Sequence, residues 1–119
     1  MHNYRNLKVW QRAMTFTIRI YRETKVFPND EIFGLTRQIR NATSAIPLNI
    51  AEGSGNSSDK EFCRFLEIAL RSGYEVATAI DIARGLTYWK DSIADELLKE
   101  VNEIIAMIVG LMKHLGREI

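Results

Sequence analysis

The chain has 119 residues, of which 46% are hydrophobic and 26% charged, with seven glycines, two prolines and one cysteine. This is one domain, residues 1–119, with apolar chain enough for its own core, and the composition excludes a disordered segment or a small disulfide-stapled scaffold. Net charge is only +1, yet residues 1–60 carry nine Lys/Arg against five Asp/Glu while residues 61–119 carry seven against ten, an asymmetry that fits nucleic-acid contact or complementary surfaces within a bundle or oligomer.

The spacing predicts a first helix from about Leu7 to Lys25, capped by Asn6 and ended by Phe27-Pro28. At helical periodicity Leu7, Trp10, Met14, Ile18 and Tyr21 form one apolar stripe, and Val9, Ala13, Phe16 and Ile20 form a second beside it. A helix covered on one side needs an apolar arc of only about 100°, so the stripe of Val9, Ala13, Phe16 and Ile20 is assigned to contact with another subunit. The remaining arc carries Arg5, Lys8, Arg12, Arg19 and Arg22. Such a strip suits phosphate contact, a solvated face or ion pairs between subunits.

A second helix is expected from Asp30 or Glu31 to about Ser54, with Leu35, Ile39, Ala42, Ile46 and Ile50 at helical spacing and Pro47 among them. Proline removes a backbone donor and crowds the carbonyl four residues earlier, which predicts a kink at Pro47. The Thr43 carbonyl loses its usual donor there, and Asn49 or Ser44 is expected to meet the freed backbone groups, with Glu52 close by. Gly53 to Ser57 make a polar turn; with no strand before it and no Gly-Lys-Ser/Thr after it, this is not a phosphate loop.

Ser58 and Glu61 stand at capping-box spacing and open a third helix that reaches Gly85 or Leu86. Phe62, Leu66, Ala69, Gly73, Val76, Ile80 and Ala83 alternate four and three apart. Gly73 costs about 1 kcal/mol relative to alanine in an exposed helix, which implies a packing reason. After a short link, Asp91 or Ser92 caps a last helix running to about Leu115, with Ala94, Leu97, Val101, Ile104, Ile108, Leu111 and Leu115 in the same alternation. Four helices with short connections imply an all-α, antiparallel up-down-up-down four-helix bundle. The longest apolar run, Ile104 to Met112, is far below the roughly 20 residues that span a bilayer, and no secretory signal opens the sequence, so no membrane partner and a cytoplasmic location are expected.

Chemistry-bearing patterns are sparse. Di-metal sites in bundles need Glu-x-x-His pairs, and neither His2 nor His114 has a Glu three residues before it, so no metal or other cofactor is expected. Cys63 reads as a half-buried free thiol with nothing to orient it as a nucleophile. Glu52, Glu67 and Glu75 lie on otherwise apolar helices; paired carboxylates can serve acid–base catalysis, but as hydrogen-bond acceptors they are structural, and no enzyme is expected.

Taken together, Leu7-Lys8-Val9-Trp10-Gln11, Gly34-Leu35-Thr36 with Gln38, Ile46-Pro47, Asn49-Ile50-Ala51-Glu52-Gly53, Glu61-Phe62 and Phe65-Leu66-Glu67-Ile68-Ala69 give the chain a likeness over nearly its whole length. It resembles the four-helix-bundle proteins encoded within intervening sequences of bacterial 23S ribosomal RNA genes. Departures are Lys90, where a serine cap is common, which moves capping to Asp91, and Gly73, where a larger residue is common. The resemblance implies a non-enzymatic homo-oligomer, a pentameric ring. A similar relative, the accessory protein of diversity-generating retroelements, is a basic pentamer that engages a reverse transcriptase and nucleic acid; the positions here that match such a role are Arg5, Lys8, Arg12, Arg19, Arg22, Arg37 and Arg40. The expected function is a homo-oligomeric scaffold contacting RNA or DNA through this basic strip. The alternative is a structural or protein-partner adaptor whose strip pairs with the acidic last helix of a neighbouring subunit.

Overall fold

The structure, a computed structural model, describes residues 2–116. Four helices carry it, α1 (Lys8–Glu23), α2 (Leu35–Ser54), α3 (Asp59–Gly85) and α4 (Asp91–His114), with short 3-10 turns at Tyr4–Asn6, Thr24–Val26 and Asn29–Glu31 and no strand among the described residues. A 27-residue helix rises about 40 Å, and α3 accordingly sets the long axis of a body measuring 43 × 22 × 20 Å. Helices adjacent in sequence pack side by side; α2 and α3 share the widest contact, and α1 and α4, which close the bundle, touch least. This is the up-down-up-down bundle expected from the short links.

The apolar positions of α2 and α3 named above are all buried, as are Ala94, Leu97, Val101, Ile104 and Ile108 of α4. Near the end of α4, Met112 takes the inward position and Leu111 and Leu115 are half-buried. In α1 the structure corrects the sequence reading. Val9, Ala13, Phe16 and Ile20, expected to meet another subunit, are at most 4% exposed inside the chain's own core, whereas Trp10 and Met14 are half-buried and Ile18 and Tyr21 are 48% and 41% exposed. The basic strip explains this rotation. With the Phe16 stripe inward, Arg12 and Arg19 stand roughly 80° round the helix, at the flank that meets α4; with the Trp10 stripe inward they would point away from the bundle.

Helix starts depart from expectation in three places. Asn6 does not cap α1: Leu7 occupies the cap without a side-chain bond, and Asn3 caps the preceding turn by accepting the Arg5 N–H at 3.2 Å. The second helix begins at Leu35, and Glu31 acts from the turn before it, its carboxylate accepting the Leu35 N–H at 3.1 Å. At α4, Lys90 holds the cap position without a side-chain bond, and Asp91 is the first helical residue. The capping box of α3 is half made: Ser58 Oγ accepts the Glu61 N–H at 3.0 Å, but the Glu61 carboxylate turns to Arg64.

Helix α2 runs continuously through Pro47. The Thr43 carbonyl is met by neither Asn49, whose amide donates to Ala45 O at 2.8 Å, nor Ser44, which donates to Asn41 O at 3.2 Å. The group at Thr43 O is Thr17 Oγ1 of α1, 3.5 Å away and also 2.7 Å from Ala13 O. A neighbouring helix, not the local sequence, faces the carbonyl that proline frees.

Two glycines set the spacing of α3 from its neighbours. A Cβ on Gly53 would lie 2.7 Å from Phe65 Cβ and 3.0 Å from Phe62 Cδ1, and one on Gly73 would lie 2.8 Å from Ile105 Cγ1 of α4. The packing reason implied for Gly73 is therefore close approach by α4. By contrast Gly110, within α4, has nothing within 4 Å. Gly53→Ala is expected to cost about 1–3 kcal/mol through overpacking, while Gly110→Ala gains up to about 1 kcal/mol of helix propensity; thermal or urea unfolding of the two variants measures both signs.

Candidate functional site

The basic strip of α1 divides into two groups once its partners are known. Arg12 reaches α4, donating to Glu100 at 3.0 Å and to Glu103, with Met107 Sδ at 4.0 Å. About two turns further on, Arg19 pairs with Glu96 of α4 and with Glu23 of its own helix at 3.4 Å. These ion pairs staple the closing edge of the bundle, where contact between α1 and α4 is thinnest. The pairing expected between subunits is made inside one chain. The hydrogen bond from Arg12 holds the Glu103 carboxyl below its ordinary value, and Glu103 and then Glu100 hold the Arg12 guanidinium charged. Glu96 does the same for Arg19.

The other basic residues are placed differently. Arg5 is exposed and stacks over Tyr4 at 4.7 Å, and Lys8 is exposed beside a recess of about 520 Å³ between α1 and α4 that Gln11, Arg12, Thr15, Glu100 and Met107 also line. Arg22 is exposed. Arg37 stacks over the exposed Phe33 ring at 4.8 Å. Arg40 is half-buried, donating to Thr24 Oγ1 at 2.8 Å and to Tyr21 O at 3.1 Å, with its guanidinium over the Tyr21 ring. The seven candidate phosphate contacts are thus not one surface: Arg12, Arg19 and Arg40 are held by partners in the chain.

A second surface, between α1 and α2, is apolar. Trp10, Met14 and Thr17 of α1 and Ser44, Pro47, Leu48 and Ala51 of α2 line an apolar groove of about 350 Å³, with Tyr4 at one end. Leu48, in its lining, is 65% exposed, and Tyr4, over which Arg5 stacks, also lines it. No acidic residue lines it. Its α1 half is the stripe that the sequence reading had placed in the core.

The three glutamates do not form a site. Glu52 and Glu75 are exposed, and Glu67 pairs with Arg71 at 3.3 Å. Cys63 is buried, its sulfur 3.9 Å from Met112 O. Among the described residues no three His, Cys, Asp or Glu side chains are grouped to hold a metal ion, and no helix is long and apolar enough to cross a membrane.

The sequence reading also missed the cluster that ties the two linkers at one end of the bundle. Phe27 packs on Tyr88 and Trp89 at ring distances of 5.2 and 4.8 Å, Trp89 Nε1 donates to Glu23 O at 2.9 Å, and Tyr88 donates its hydroxyl to Glu31 at 2.7 Å. That bond, with the Leu35 N–H, keeps the Glu31 carboxyl below its usual value and raises the Tyr88 phenol. Two adjacent aromatics in a link between helices were the available signal.

A family model described as the 23S rRNA-intervening sequence protein matches residues 5–110. Comparison with curated proteins gives no significant match. Among solved structures, the chain is similar to a protein of unknown function from the S23 ribosomal protein family of Bacteroides thetaiotaomicron VPI-5482, with a TM-score of 0.81 and 21% identity over 88% of this chain and 95% of that one. That likeness carries the fold.

Because Glu103 titrates lower when folded than unfolded, its contribution is fully present above the ordinary carboxylate value of about 4.3 and is lost as pH falls through the folded value. Glu103→Gln is therefore expected to lower the melting temperature at pH 7 and to converge with the wild type as pH falls below the folded value of Glu103, as a thermal series from neutral to acid pH measures.

Proposed function

The chain belongs to the 23S rRNA-intervening sequence protein family, and on that premise we propose that it is a non-enzymatic scaffold that assembles with copies of itself, in the pentameric ring that its resemblance leads one to expect. The observation that carries the proposal is the apolar α1–α2 groove, with Leu48 exposed in its lining and Ile18 and Tyr21 of the same α1 stripe also exposed. Surface of this kind on a small bundle is covered in use.

A second copy supplies a matching occupant. On α3, Ile68, Glu75 and Ile82 follow one another at seven-residue spacing and are all exposed, with Asp81 exposed alongside. An apolar stripe with carboxylates suits an apolar groove with Arg5 stacked on Tyr4 in its lining, and the opposite charge balance of the two halves of the sequence follows the same division. Two different patches meeting head to tail generate a ring when the rotation closes.

Between the two functions weighed from sequence, the intramolecular pairing of Arg12 and Arg19 favours an adaptor over a nucleic-acid module. Phosphate contact by the strip would fall to Arg5, Lys8, Arg22 and Arg37. In light scattering, Leu48→Glu is expected to reduce the wild-type assembly to the 13.7 kDa of one chain with helicity unchanged, whereas Phe16→Glu unfolds the protein. A wild type that stays at the mass of one chain at high concentration overturns the proposal.

A further inference from the structure

The end of the bundle that holds the Asn29–Glu31 turn contains a small polar recess of about 120 Å³. Thr24, Lys25, Asn29, Thr36 and Arg40 contribute to its wall, with Phe27, Pro28 and Ile32 as the apolar part. No carboxylate lines it. Glu31 is turned to Tyr88 and the Leu35 N–H, and Asp30, next to Asn29, is exposed.

Thr36 is 7% exposed, and its Oγ1 is buried without a hydrogen-bond partner among the described residues. A buried hydroxyl left unpaired costs about 1–3 kcal/mol, and the other buried threonines avoid that cost: Thr24 and Thr43 both donate to backbone carbonyls at 2.7 and 2.6 Å. Thr36 is also the second residue of α2, a 20-residue helix whose dipole favours negative charge at this end, where the Glu31 carboxylate already accepts the Leu35 N–H. Arg40 uses Nε on Thr24 Oγ1 and Nη2 on Tyr21 O, which fixes the guanidinium in place and leaves Nη1 uncommitted. The side chains of Lys25 and Asn29 make no hydrogen bond or ion pair among the described residues.

We propose that this recess, built from Lys25, Asn29, Thr36 and Arg40 at the start of α2, binds a phosphate-sized oxyanion. Its volume is that of about four waters in the liquid, enough for one phosphoryl group and too little for a nucleotide. Thr36 Oγ1 donates one hydrogen bond, Arg40 and Lys25 supply charge-assisted donors, and the Asn29 amide completes the set. The phosphoryl group comes either from free phosphate or from the terminus of a nucleic acid strand, and both present the same oxygens.

The test records amide NMR shifts of Thr36 and Asn29 on titration with inorganic phosphate, and separately with a 5′-phosphorylated single-stranded RNA and its unphosphorylated counterpart, at constant ionic strength in chloride. Saturable shifts are expected with phosphate, or with the phosphorylated strand alone if the strand terminus is the source. Thr36→Val, which keeps the shape and removes the donor, is expected to weaken binding about tenfold or more while melting no lower than the wild type in chloride. Lys25→Gln, an exposed position at which folding is not at stake, should weaken it as well. No saturable shift with phosphate or the phosphorylated strand, equal shifts with the unphosphorylated strand, or an affinity unchanged from the wild type in Thr36→Val and Lys25→Gln, overturns the proposal.

Discussion

The rotation of α1 about its own axis decides most of what distinguishes this protein. Its Trp10 stripe is the bulkier of the two, so the burial of bulk alone would not turn the Phe16 stripe inward. The arginines do: turning Val9, Ala13, Phe16 and Ile20 inward brings Arg12 and Arg19 against Glu96, Glu100 and Glu103 of α4. Each pair is partly solvated, and an exposed ion pair contributes about 0–1 kcal/mol. Their role here is to select one rotation, because the alternative would leave three carboxylates of α4 and two guanidiniums of α1 unpaired on separate faces.

That choice has a functional consequence at a distance. With the Phe16 stripe inside, the Trp10 stripe emerges beside Pro47 and Leu48 and makes the apolar groove. It also draws the two central cations of the basic strip out of reach of a polyanion. The same rotation therefore leaves an apolar surface beside α2 and commits Arg12 and Arg19 to carboxylates within the chain. The remaining polar opportunity lies at the start of α2, where Thr36 and Arg40 stand in a recess that the strip does not include.

Contact between α2 and α3 is the firm half of the bundle, and small residues make it so. Gly53 lets α2 end against Phe62 and Phe65, and Gly73 lets α4 close over α3 through Ile105. Pro47 is tolerated in the middle of α2 because α1 stands against the carbonyl it leaves without a donor, with Thr17 facing Thr43. The Phe27, Tyr88 and Trp89 cluster then locks the two linkers at one end, so that the thin α1–α4 edge is held at its base by aromatic packing and along its length by charge.

The sequence by itself determined the number of helices, their order and the inward faces of α2, α3 and α4, since each of those helices carries a single apolar seam and one periodicity admits one orientation. It also marked Gly73 as a packing position, because a glycine within such a seam is otherwise a cost. Only the tertiary structure decided which stripe of α1 is core, that Arg12 and Arg19 pair within the chain, that Thr17 meets the backbone freed at Pro47, and that Thr36 is left buried without a partner. Each of these depends on the approach of a second helix from a distant part of the chain, and helical periodicity describes one helix at a time.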